Sequence, residues 1–344
     1  MTRLIASLVL ALMLLGCARD VPPGVTELTY ATPYPPSHPF SRADQRWMDW
    51  VEAESGGALT IRPVWSGALL SADMSMEELR HGVADIGLIT PIYVRGGTHL
   101  LRIQTGFYSG ADSVESQVAM YRCMERDVPQ ITRELAGLKI LAVQGGLLPG
   151  VLTRGRVVNS LDDLRGMRIR APTELLPVLR ELGADPVNMP MGEVYSALAK
   201  GVIDGVIAPP DTFRALHFTE VATNYFELKV PRGAYPARAM GADRWNALSP
   251  AERALLERST PVWERALTEE IIASEQVGRD AAADVVRYTQ PSAADQQAFD
   301  DLYLRIGRAN AGELSRFGID GEAAYRVARA SIRGRDQIMC GERN

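Results

Sequence analysis

Histidine is scarce in this sequence: His38, His81, His99 and His217 are the whole supply, and none stands in an HExxH or other metal-ligand spacing. A GxSxG elbow, a GxxxxGK[ST] loop and a GxGxxG run are all missing. The glycine-rich stretch GGLLPG at 145–150 lacks the Lys and Ser/Thr that a phosphate cradle needs. Adjacent carboxylates such as Asp162-Asp163 and Glu77-Glu78 suit solvated positions better than an acid–base pair. There is no basic run interleaved with aromatics, and a formal charge of −5 argues against nucleic acid as a partner. An enzyme thus lacks its usual spacings, and no cofactor or metal site is expected.

What is present begins at the first residue. MTRLIASLVLALMLLGC has one cation, Arg3, and an apolar run from Leu4 to Leu15. That run is too short for a permanent span and suits a secretory leader. Gly16 followed directly by Cys17 resembles a bacterial lipobox, which implies cleavage after Gly16 and diacylation of Cys17; a plain leader with an incidental Cys is the alternative. Residues 1–16 read as leader and 17–26, with Pro22-Pro23-Gly24, as a lipidated tether. The expected location is the periplasm, held to a membrane. Beyond Cys17 only Cys123 and Cys340 remain. In an oxidising compartment they fit a disulfide pinning the C-terminal tail, or two independent small apolar residues.

A length of 344 residues suits two domains. From Glu27 strand and helix patterns alternate. LTYATPY (28–34) is a strand, and Phe40, Ala43, Trp47, Trp50 and Val51 mark a helix stopping at Ser55-Gly56-Gly57. LTIRPVW (59–65), a helix over 74–81 and IGLIT (86–90) complete a β-α-β-α-β unit, which predicts parallel strands. Later come KILAVQ (139–144), a capped turn at Ser160–Asp163, MRIRA (167–171), a helix over 174–182, a short strand in ADPVNM and GVIAP (205–209). ELKVPRGAYPARAMG (227–241) reads as extended chain crossing back. A capping box at Ser249–Glu252 starts a helix running to about Tyr288, interrupted or kinked at Pro261. Further helices follow Ser292 and cover 321–333.

One phrase occurs twice. SMEELRHGVADIGLI (75–89) and MPMGEVYSALAKGVIDG (189–205) each give a helix, a glycine stop, an aspartate and a strand. Two lobes of related architecture explain the repeat; coincidence is the other reading, since glycine C-caps are common. Asp85 and Asp204 are expected to order the turn in each copy.

The ordered set SLDDLRGMRIRA, LGADPVNMP and EVYSALAKGVIDG, with FSRADQRWMDWVEAESGGALTI and ELRHGVADIG earlier, resembles the DctP-type substrate-binding subunit of tripartite ATP-independent periplasmic (TRAP) transporters. The resemblance spans Leu28 to at least Trp263. It implies an α/β, two-lobed periplasmic-binding-protein fold with a hinge and a long helix packing along both lobes. Lobe I takes 27–144 and about 234–265; lobe II takes 145–233 and about 275–290; helices in 291–344 pack mainly on lobe I. It also implies capture of a small organic acid by its carboxylate and delivery to a small and a large membrane subunit. Arg170 matches the Arg of the family's KxR strand, where a planar guanidinium can bind both carboxylate oxygens; without the match it would read as a surface residue on an edge strand. Arg168 is taken as solvated. Thr173 and Met191 are weaker candidates, with core packing the alternative for Met191. Tyr34, Ser37, His38, Thr90 and Tyr93 follow strands of the first lobe, where loop polar residues can equally face water. Ala208 stands where some members carry a ligand-binding Asn, with Asp211 three residues on. Gly150 stands where sialic-acid binders have an Arg, which argues against sialic acid. A binding protein of an ATP-driven importer, or a sensor, would share the closing mechanism but not the motif set.

Overall fold

The computed structural model describes residues 22–94 and 96–341. Residues 1–16, read above as a leader, and Cys17 lie outside them. β1 (Thr26–Ala31) leads through the Pro-rich loop into α1 (Pro39–Glu54), then β2 (Leu59–Val64), α2 (Ser75–Arg80) and β3 (Ile86–Leu88). α1 begins where it should: Pro39 opens it and His38 Nδ1 accepts from the Phe40 N–H at 3.2 Å. It ends where Gly56 and Gly57 take φ of +62° and +82°. β1 pairs in parallel with β2 and β3, as the β-α-β-α-β reading requires.

α3 (Val114–Asp127) precedes β4 (Leu138–Gln144). The chain then crosses at 145–149 into β5 (Gly150–Thr153), β6 (Arg168–Arg170), β7 (Asp185–Val187), α4 (Met191–Ala199), β8 (Gly205–Ala208), α5 (Asp211–Ala215) and β9 (Asn224–Phe226). It returns at 227–234 to β10 (Tyr235–Gly241). One sheet has the order β2-β1-β3-β10-β4, the other β11-β9-β5-β8-β6-β7, where β11 is Arg287–Thr289. Each crossing delivers one antiparallel strand: β5 against β8 and β9, β10 against β3 and β4. The crossings touch, Val230 N–H donating to the Pro149 carbonyl at 3.0 Å.

Both sheets, mixed though they are, pack apolar clusters against both faces. Tyr30 and Leu28 face Trp47 and Trp263, while Ala31 faces a cluster with Met120 and Ala324. In the second sheet Ile169 and Ile207 pack with Phe299, and Leu152 and Val206 with Phe213.

α6 (Pro250–Ala282), closed at its start by the Ser249–Glu252 capping box, runs along both lobes. Trp263 stacks on Trp47 at 3.5 Å, and Gly278 lies so close to α5 that a Cβ there would meet the Pro210 carbonyl at 2.0 Å. The expected interruption at Pro261 does not occur. Proline in a helix costs about 3 kcal/mol, but the residues flanking it are both held by α1: Trp47 donates to Ser259 Oγ at 2.8 Å and stacks on Trp263. The helix also ends earlier than expected, because Arg287–Thr289 pairs with β9. α7 (Ala293–Glu313) touches both lobes. Its Phe299, Leu302 and Tyr303 join the second sheet's core, and Ala311 with α8 (Gly321–Ser331) joins the first's. Cys123 of α3 and Cys340 form a disulfide, with Cα atoms 5.0 Å apart, that fastens the tail.

The repeated phrase has a structural meaning. The Asp85 N–H donates to the Thr29 carbonyl at 3.1 Å, and its Oδ2 accepts from the Thr29 N–H at 2.7 Å. Asp204 does the same to Arg168, at 2.8 and 2.7 Å. In each lobe the aspartate clips the incoming strand to its parallel neighbour rather than merely shaping its own turn.

Candidate ligand-binding cleft

The C-terminal ends of parallel strands converge between the sheets, where open α/β folds hold ligands. There a cavity of about 110 Å3 lies between the loops after β1 and β3, the ends of β6 and β8, and both crossings. Its apolar wall includes Phe40, Ile92, Leu175, Met191 and Ile207.

Arg170 is the last residue of β6 and only 2% exposed, whereas Arg168, two residues back, is exposed and pairs with Asp185 at 2.8 Å. The Arg170 Nε donates to the Met189 carbonyl at 3.1 Å. Its Nη2 donates to the Tyr93 hydroxyl at 2.5 Å, across the gap between lobes. Among the described residues no carboxylate pairs with it and Nη1 has no partner. Thr173 Oγ1 also bridges the lobes, donating to the Ile92 carbonyl at 3.1 Å.

Burial shifts the titration of the other lining groups. Burial lowers the His38 imidazole to about 3, with help from Arg42 and Arg238. It is therefore neutral; Nδ1 accepts from Phe40, and the ring stacks on Tyr34 at 4.1 Å. Burial raises the Tyr34 phenol well above its ordinary value. Burial pushes the Glu174 carboxyl up to about 7, against the pull of its own N–H, the Thr105 hydroxyl, Arg170 and Arg232. It pushes Asp211 up to about 6, against Arg232 and the N–H groups of Asp211 and Thr212.

Of the residues singled out in the sequence, Tyr34, His38, Thr90, Tyr93, Arg170, Met191 and Asp211 line this cavity. Ser37, Thr173 and Ala208 do not. Ser37 is exposed and gives its carbonyl to Arg42 at 2.5 Å. Thr173 is spent on the Ile92 contact, and Ala208 is fully buried among Leu152, Val206 and Phe213. Two charged residues escaped the sequence. Arg232, half-buried in the return crossing, rests against Gly146, where a Cβ would lie 2.3 Å from its Cζ. Glu174 hides in what looks like an ordinary acidic first turn. The one signal for Arg232 was a cation between Pro231 and Gly233 in a chain-crossing stretch.

Residues 30–306 match the family model DctP, bacterial extracellular solute-binding protein, family 7. A solute-binding protein of Albidiferax ferrireducens is 28% identical over 177 residues, which is 50% of this chain and 51% of that protein. The chain thus spans about half the length of that curated relative. A TRAP periplasmic solute-binding protein of Desulfovibrio salexigens superposes with a TM-score of 0.71 at 26% identity, covering 90% of this chain and 96% of that one. One from Bordetella bronchiseptica, with bound (R)- and (S)-mandelate, gives 0.77 at 21%, covering 90% and 99%. These relatives are transporter substrate-binding proteins, not enzymes. With the two-lobed fold and 277 matched positions behind it, the chain belongs to the DctP family, bacterial extracellular solute-binding protein family 7, the substrate-binding proteins of TRAP transporters.

Proposed function

We propose that this chain captures a small organic acid by its carboxylate in the periplasm and delivers it to a small and a large membrane subunit. One observation carries the reading: Arg170, buried at the crevice end of β6, has no carboxylate partner while reaching Tyr93 of the opposite lobe. A buried cation without an anion is costly, and a ligand carboxylate would supply one. Because Arg170 belongs to one lobe and Tyr93 to the other, an acid seated on both favours the closed arrangement over an open one. The mandelate bound by the Bordetella relative supports an acid of this size. Neutral His38 and Tyr34 leave the cation unopposed from their side of the cleft.

The test is calorimetry with organic acids on the wild type and Arg170→Ala. Losing a buried charged partner costs about 2–5 kcal/mol, so affinity should fall thirtyfold or more. Unchanged affinity rejects the assignment. Arg170→Lys should lose much of it as well, since the fork geometry is gone. The same reading places a lipid anchor on Cys17, resting on the Gly16-Cys17 leader end. Mass spectrometry of the mature protein should find diacylglycerol on that cysteine, and an unmodified N-terminus would remove the anchor from the account.

A further inference from the structure

Glu174 and Asp211 line the cleft, and each is more than nine-tenths buried. Glu174 Oε2 and Asp211 Oδ1 have no hydrogen-bond partner among the described residues. They come from separate places, one just after β6 and the other at the start of α5 after β8. Neither is hydrogen-bonded to an arginine, though Arg170 and Arg232 both pull the Glu174 carboxyl down and Arg232 pulls Asp211 down. The polar inventory of the cleft is therefore divided. Arg170 offers donors to an anion, while Glu174 Oε2 and Asp211 Oδ1 are carboxyl oxygens without a hydrogen bond; the Thr105 hydroxyl, also unpartnered, is the neighbouring protein donor for Glu174.

We infer that the ligand carries, beside its carboxylate, a hydroxyl or ammonium donor that pairs with Glu174 or Asp211, a hydroxyl serving one of them and an ammonium having protons enough for more than one acceptor. This rests on the carboxylate reading above and narrows it. In the empty cleft water can satisfy both oxygens. A ligand that expels that water without a donor leaves buried acceptors unpaired, at a cost that grows when they are charged. Sites built to hydrogen-bond a substrate group discriminate strongly against analogues lacking it, for this reason. A second carboxylate fits worse, because it would set acceptors against acceptors and like charge against like charge. Glu174 and Asp211 thus act as specificity-determining residues: Arg170 selects an acid, and they select which acid.

The experiment uses the full chain and calorimetry at pH 8, above the values of about 7 and about 6 for the two carboxyls. Two matched series serve as probes: phenylacetate, mandelate and phenylglycine, and propionate, lactate and alanine. Each series adds first nothing, then a hydroxyl, then an ammonium group. In at least one series a donor-bearing acid should bind tenfold or more tighter than its parent, and the better of the two identifies the donor. In Glu174→Met/Asp211→Leu, which removes the acceptors, that ratio should fall below about threefold. Two outcomes overturn the inference and leave the carboxylate reading standing: wild-type affinities within threefold across each series, or a ratio that survives in the double variant. Should no acid of either series bind the folded wild type, both readings fall together.

Discussion

Two arginines are buried among the described residues, one in each sheet. Arg238 of β10 is fully enclosed and bidentate to Asp44, with Nε–Oδ1 at 2.8 Å and Nη2–Oδ2 at 3.2 Å. Asp44 is satisfied in turn by Trp263 at 2.9 Å and by the Tyr30 hydroxyl, while Arg238 also reaches Gln144 at 3.2 Å. Arg170 is nearly as buried, yet its only partners are a carbonyl and a phenol. The difference separates structure from function. A cation paired inside the core is satisfied by the fold; on the function proposed above, the cation without a salt bridge is the one a ligand carboxylate would meet.

The largest effect should come from breaking the satisfied pair. Asp44→Ala strands Arg238 in the first lobe and should cost about 3–5 kcal/mol in urea unfolding. Arg170→Met, which removes a buried cation that has no anion, should leave the stability of the ligand-free protein unchanged or raise it. Equal losses at the two sites would erase the distinction. Next come the strand clips. Asp204→Ala removes a charge-assisted bond to the Arg168 N–H, and a loss of about 1–2 kcal/mol is expected. Asp85→Ala should cost somewhat more, because Asp85 also pairs with Arg244 at 2.7 Å. A neutral result at both positions would mean that the repeated phrase carries no energy.

The smallest effect is a pH dependence confined to the cleft. Glu174 has a folded value of about 7 against an ordinary 4.5. Its contribution is fully present below the ordinary value and lost as pH rises through the folded one. His38 runs the other way, lowered from 6.5 to about 3, so its contribution is present above 6.5 and lost on acidification. Above pH 6.5 Glu174 dominates, with a smaller tail from Asp211, whose folded value is about 6. The ligand-free protein should lose about 1 kcal/mol between pH 6.5 and 8, and Glu174→Gln should flatten that slope. A slope that persists in the variant assigns it elsewhere.

Much of the fold was legible because its signals are local. Glycine stops, the Ser249 capping box and alternating apolar runs each sit within a few residues of the feature they dictate. That the helix continues unbroken through Pro261 was not legible, since what holds it is Trp47, more than two hundred residues away. β5 and β9 went unread because each is a short strand whose partners come from across the second sheet. At the site, the family motif pointed to Arg170 as the ligand's anchor. Burial decides the rest: Glu174 and Arg232 look like ordinary surface residues in the chain, and only the folded crossing puts them beside the same cavity. Ala208 shows the converse, a motif position that the fold turns into the core.

The most direct measurement is a crystal structure with a bound organic acid. The account predicts both carboxylate oxygens within hydrogen-bond distance of the Arg170 guanidinium, with Nη1 newly engaged. A ligand whose carboxylate lies on Arg232 alone, with Arg170 still bonded only to Met189 and Tyr93, would contradict it.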